Sequence, residues 1–196
     1  MNRFGLRIGL GFLCFGLLIL GIARFRPVPE ADAQLNYGRV PDFSLTESGG
    51  RTVSLRDLNG KVWVADFIFT SCAGTCPMMS GQMRKLQDVL PRDVQMVSVT
   101  VDPSRDTPEA LSRYAKQFGA DPHRWMFLTG DRQSLYDLCV KGFKLALDDG
   151  QGTEAEPIMH SSRFVLVDGS GQIRGYYSGT EENDLTRLAE DAKKLL

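Results

Sequence analysis

The chain has 196 residues, with 23 lysines and arginines against 24 aspartates and glutamates, for a formal charge of −1. That length holds one well-packed domain of about 150 residues plus an appendage and leaves a second full domain cramped. The near-neutral balance, with no basic stripe interleaved with aromatics, argues against nucleic acid as a partner, and four cysteines are too few for a disulfide-stapled scaffold.

Residues 8–23 carry no charge and are flanked by Arg3 and Arg7 on one side and by Arg24 and Arg26 on the other. This run reads as a membrane anchor: it is slightly short for a span, but arginines at both ends can snorkel and extend its reach. Ala31-Asp32-Ala33 has the small-x-small form of a cleavage site, so removal after Ala33 is the alternative, although the site lies far behind the apolar run. Cys14 follows Phe12-Leu13 rather than small residues, which weakens a lipoprotein reading. A short tail, 1–7, starting in the cytoplasm places the rest outside the cytoplasmic membrane. The expectation is therefore a single-pass protein of the inner membrane with its globular part in the periplasm. The Pro-rich stretch within 24–39 serves as a tether and 40–196 as the folded domain.

Two alternating pieces, Asp42-Phe-Ser-Leu-Thr46 and Thr52-Val-Ser-Leu55, surround the turn-rich Glu47-Ser-Gly-Gly50 and predict a hairpin. Val62-Trp-Val-Ala-Asp-Phe-Ile-Phe69 is nearly continuous, as expected of a central strand buried on both faces. After it come Cys72 and Cys76, then Pro77, with Met79, Met83, Leu86 and Leu90 at helical spacing. Val94-Gln-Met-Val-Ser-Val-Thr-Val101 predicts a second buried strand, closed by Asp102-Pro103. Thr107-Pro108 reads as an N-cap with proline at the first helical position, opening a helix to about Phe118. A strand at 125–129, a helix from Asp131 to about Val140, a late hairpin around Gly169-Ser-Gly171 and an amphipathic helix from Glu181 onward complete the chain. This order predicts an α/β fold: a thioredoxin-like mixed sheet flanked by helices, with the two cysteines at the carboxyl end of the first central strand.

If a helix starts at the cysteines, residues i and i+4 share a face, so the two sulfurs can converge on one atom or oxidise to a disulfide. The helix N-terminus would also favour thiolate over thiol. Of the two histidines, His123 sits in a polar turn and reads as a surface residue. His160 lies just before the late hairpin, a segment that a thioredoxin-like chain brings against the dithiol loop. Two thiolates and an imidazole suit Cu(I) and also admit Cu(II), while zinc would accept the same three, so the residues alone do not select the metal. Met78, Met79 and Met159 lie beside these residues and could lend thioethers to a metal, with core packing the favoured reading, and Cys139 reads as a core cysteine. Asp102 can orient the site through hydrogen bonds or simply close its turn.

These landmarks together closely resemble the SCO/SenC family of membrane-tethered copper proteins that assist cytochrome c oxidase assembly. Phe69-Thr-Ser-Cys72 with Cys76-Pro77 looks like the family's metal motif. Val99-Thr-Val-Asp102-Pro-Ser-Arg-Asp106-Thr-Pro108 and Trp125-Met-Phe-Leu-Thr-Gly130 look like two further landmarks, and His160-Ser161 before Phe164-Val-Leu-Val-Asp168 resembles its ligand histidine. The resemblance implies copper held by Cys72, Cys76 and His160, with delivery of copper to, or thiol reduction at, the binuclear site of the oxidase's copper-binding subunit, and other copper chaperones as further partners. One departure stands out: many members carry Pro-Asp and an apolar residue between the cysteines, where this chain has Ala73-Gly74-Thr75. Two rival readings use the same pair, a metal-independent thiol-disulfide oxidoreductase or peroxidase, and a redox or copper sensor signalling to a membrane partner.

Overall fold

The structure, a computed structural model, describes residues 36–145 and 161–196. The expected tail and anchor, residues 24–35 of the tether, Cys14, Met159 and His160 lie outside the described residues. Among the described residues no helix is long and apolar enough to cross a membrane.

The two alternating pieces form the expected hairpin of β1 (Ser44–Glu47) and β2 (Thr52–Ser54), followed by a 3-10 turn, Leu55–Leu58. The continuous run forms β3 (Trp63–Ile68), and all six of its residues are buried. It does not alternate because both faces of the sheet are covered. Strands β4 (Gln95–Thr100) and β5 (Trp125–Thr129) extend it in parallel, β4 against β3 and β5 against β4. On the other side β6 (Arg163–Val167) runs antiparallel to β3, and β7 (Ile173–Ser178) antiparallel to β6. With β1 antiparallel to β5, the order is β2-β1-β5-β4-β3-β6-β7, a mixed sheet with three parallel strands at its centre.

Helices α1 (Thr75–Val89), α2 (Pro108–Gln117), α3 (Arg132–Asp137) and α4 (Glu182–Lys194) divide between the faces. Met79, Met83 and Leu86 of α1, Leu111 of α2 and Leu188 of α4 pack with Val64 and Ile68 in one core. Leu55, Leu135, Cys139 and Phe143 pack with Trp63, Ala65 and Phe67 in the other. Successive β3 residues thus feed opposite cores, the period of two that a strand imposes. Thr107 caps α2 as its sequence predicts, accepting a hydrogen bond from the Ala110 N–H at 3.3 Å. The third helix departs from expectation. Its α-helical turns end at Asp137 and the chain widens into a π turn, Leu138–Gly142. Gly142 there lies against Pro41, whose Cδ would sit 2.8 Å from any added Cβ, so this approach requires glycine.

Arg124 fixes the far end of α1. Its side chain is buried, and its guanidinium donates to the carbonyls of Gln87 at 3.0 Å and Pro91 at 2.9 Å, with longer bonds to Leu90 and Val94. These include carbonyls that the end of a helix leaves without partners, and a cation is favoured there. Arg124→Ala is expected to cost about 3 kcal/mol, since it strands buried acceptors that a charged donor had satisfied. Urea unfolding of the variant checks this, with an unchanged midpoint as the contrary result.

Candidate metal centre

The cysteine loop leaves the buried end of β3 and enters α1. Cys72 lies three residues ahead of the helix start at Thr75, so the two cysteines do not share a helical face as the spacing alone suggests. They converge by another route. The Cys72 N–H donates to the Phe69 carbonyl at 3.2 Å, closing a turn, and the Cys76 N–H donates to Cys72 Sγ at 3.4 Å. Both are free thiols. Cys72 is partly exposed, whereas Cys76 is only 1% exposed and belongs to the first core. Residues Ala73 and Gly74 between them are exposed, and Met78 is 48% exposed beside a buried Met79. Met79 packs as the sequence suggests; Met78 does not, because its place on α1 faces solvent.

Electrostatics at Cys76 also differ from the expectation of a thiolate favoured by the helix N-terminus. Burial, first, pushes its thiol well above the ordinary range; the Phe69 backbone pulls the other way, and Cys72 and Asp66 add to the rise. Loss of hydration outweighs the dipole because the sulfur sits in an apolar core. The thiol therefore holds its proton until a soft cation or an oxidant takes the electron pair.

Asp66 is a residue that sequence reasoning passed over. It is the lone acid in the continuous run of β3 and is 0% exposed. Ser98 Oγ, on the adjacent strand at the same register, donates to its Oδ1 at 2.5 Å, and Trp125 Nε1 donates to that Ser98 oxygen at 2.8 Å. Its Oδ2 has no hydrogen-bond partner among the described residues. Burial pushes the carboxyl up to about 7, against the pull of Ser98. Tyr114, whose hydroxyl pairs with Ser80 Oγ at 2.8 Å, is pushed up mainly by burial, with smaller contributions from Cys76, Asp66 and Cys72. The signal was available: a charged residue inside a run buried on both faces has to be accounted for.

Asp102 and Asp106 take different roles. Asp102 is buried at the end of β4, where Oδ1 accepts from Ser104 Oγ at 2.6 Å and its N–H donates to Thr100 Oγ1 at 3.0 Å. Arg105 reaches its Oδ2 at 3.8 Å. The contact with the cysteine loop comes instead from Asp106, which holds Thr70. His123 is exposed in its turn, as expected, and Cys139 is buried in the second core. Among the described residues no three His, Cys, Asp or Glu side chains gather as a metal cluster. The register of β6 against β3 pairs Val165 with Ala65 and Leu166 with Val64, so the start of β6 lies alongside the end of β3 from which the cysteine loop emerges. The Gly179 N–H donates to the Ser162 carbonyl at 2.7 Å, and Gly179 itself abuts Met79 of α1.

The SCO1/SenC family profile matches residues 31–196. The chain belongs to the SCO1/SenC family. The SCO1 protein homolog of Bacillus subtilis is 36% identical over 163 residues, covering 81% of this chain and 83% of that one. Among solved structures, BsSco is described as a member of the Sco family of cytochrome c oxidase assembly proteins with a disulfide switch. It superposes with a TM-score of 0.68 at 33% identity, covering 81% of this chain and 95% of its own. Arabidopsis thaliana ScoI with copper bound gives a TM-score of 0.68 at 25% identity, covering 80% of this chain and 97% of its own. The mixed sheet flanked by helices is thus the fold of this SCO1/SenC group, in agreement with the expectation from element order.

Proposed function

We propose that this SCO1/SenC protein is a membrane-tethered copper metallochaperone, with residues 8–23 as its anchor, 24–39 as its tether and the domain on the periplasmic side. It delivers copper to the binuclear copper site of cytochrome c oxidase, or reduces the cysteines of that site from disulfide to thiols as its own Cys72 and Cys76 become a disulfide, with the oxidase's copper-binding subunit and other copper chaperones as its partners. Cys72 and Cys76 hold the metal as thiolates and His160 completes the set; Asp102 steadies the strand end beside them. The observation that carries this reading is the convergence of two free thiols, one exposed enough to meet a partner and one buried, at the end of β3. The register that starts β6 at that same end supports the place given to His160. Copper here is cargo: each thiol gives up a proton when its sulfur binds the ion, and the soft pair favours Cu(I) while the imidazole makes Cu(II) acceptable.

The relatives support the reading, since one is described as an oxidase assembly protein and another carries copper. The full chain, purified under reducing conditions, is titrated anaerobically with Cu(I) and separately with Cu(II), and metal-free protein is assayed for turnover of a model disulfide. One tightly bound copper per chain with negligible turnover is expected. Rapid reduction of the model disulfide by protein that binds no copper would overturn the proposal in favour of a thiol-disulfide oxidoreductase. Complex formation that follows redox state without metal transfer would favour a sensor.

A further inference from the structure

The turn that presents Cys72, closed by the Cys72 N–H on the Phe69 carbonyl, is also held from outside the cysteine pair. Thr70, two residues ahead, is gripped by Asp106, which lies 36 residues further along the chain and is 0% exposed. Asp106 Oδ1 accepts the Thr70 hydroxyl at 2.5 Å, and Oδ2 accepts the Thr70 N–H at 3.1 Å and the Thr100 hydroxyl at 2.5 Å. The Thr70 N–H also lies 3.3 Å from Oδ1. Asp106 is itself fixed, because its N–H donates to the Asp102 carbonyl at 2.9 Å and the next residue, Thr107, caps α2. One carboxyl group therefore ties the cysteine loop to the end of β4 and the start of α2. Cys76 needs no such tie, being seated in α1 and the core.

We propose that Asp106 is a positioning residue for Cys72: by clamping Thr70 it fixes the backbone of the 69–72 turn, and with it the direction in which the Cys72 sulfur faces Cys76. The inference rests on the role given to the two cysteines above. Chemistry makes the carboxylate specific. Both oxygens must accept, from three donor groups, and an amide can present an acceptor on only one side. Asparagine would set its N–H₂ on the Oδ1 side, where the Thr70 hydroxyl would have to turn its proton away and accept instead, and where the Thr70 N–H, now 3.3 Å from Oδ1, would face a second donor, so the clamp loosens at that end. Groups that orient a metal-binding side chain in this way change affinity by tenfold to a hundredfold when removed.

Asp106→Asn and Thr70→Val are made in the full chain, with Thr70→Ser as the conservative variant. Cu(I) affinity is measured by competition, the Cu(II) complex by its thiolate absorption and electron paramagnetic resonance, and folding by circular dichroism and thermal unfolding. Both disruptive variants are expected to unfold cooperatively, to bind Cu(I) at least tenfold more weakly and to give an altered Cu(II) spectrum; Thr70→Ser restores both values. The dithiol–disulfide equilibrium of metal-free protein against glutathione gives a second readout. Two cysteine thiols lose two protons and two electrons to form the S–S bond, while glutathione disulfide becomes two glutathione thiols. That equilibrium constant is expected to shift at least tenfold in Thr70→Val. Should Asp106→Asn fail to fold, Thr70→Val decides alone. Wild-type affinity, spectrum and equilibrium in a folded Thr70→Val would overturn the proposal. If wild-type protein binds no copper, the metallochaperone reading fails, and the glutathione equilibrium still judges the clamp.

Discussion

Cys72→Ser and Cys76→Ser are each expected to abolish stoichiometric Cu(I) binding, whereas His160→Ala mainly weakens Cu(II). A serine hydroxyl is a hard, weakly acidic donor that cannot replace a thiolate toward a soft ion, and one remaining sulfur cannot hold Cu(I) against competing thiols. Imidazole matters more to the oxidised ion, which accepts nitrogen readily. The two cysteine variants should differ in a second respect. Cys76 is in the core, so a hydroxyl there must be buried and folding stability drops with it; Cys72 is partly exposed and its variant should unfold near the wild-type midpoint. Loss of copper from Cys72→Ser thus cannot be assigned to unfolding. Competition titration with a Cu(I) chelator, paired with urea unfolding of metal-free protein, measures both effects, and unchanged stoichiometry in either cysteine variant would count against the assignment.

Much of this was legible before the structure, and the reasons are local. The 62–69 run declares a strand buried on both faces, and Thr107-Pro108 declares a helix start, because each depends on neighbours within a few residues. The cysteine pair was equally plain from its place after that strand. What spacing could not supply was the geometry made by distant residues. Cys72 lies outside the helix and meets Cys76 through a backbone-to-sulfur hydrogen bond, and the loop is held by Asp106 rather than by the nearer strand-closing Asp102. Both aspartates stand in one short motif, and only the fold distinguishes the one that reaches Thr70. The thiol of Cys76 is a similar case: helix position argues for an acidic sulfur, and burial, which requires the whole core, argues more strongly for the reverse.

The same competition between burial and charge makes Asp66 a pH lever in the acid-to-neutral range. An unfolded chain would leave its carboxyl near the ordinary 3.8, while burial between β4 and the first core pushes it up to about 7. Between those values the folded protein holds a proton that the unfolded chain has released. The contribution of this carboxyl to stability therefore falls as pH rises through this window, and its full penalty is present above about pH 7. A span from 3.8 to about 7 corresponds to roughly 4 kcal/mol. Cys76 and Tyr114, also pushed up by burial, keep their protons throughout the window and add no slope of their own. Asp66→Asn keeps the shape and an oxygen for the Ser98 hydroxyl but cannot ionise. Urea unfolding of reduced wild-type and variant protein at intervals from pH 4 to pH 8 is expected to show the variant gaining on wild type steadily with pH, by roughly 4 kcal/mol over the range. Parallel profiles would mean that Asp66 remains charged in the folded protein, and that its unpartnered oxygen is satisfied by a group other than a proton.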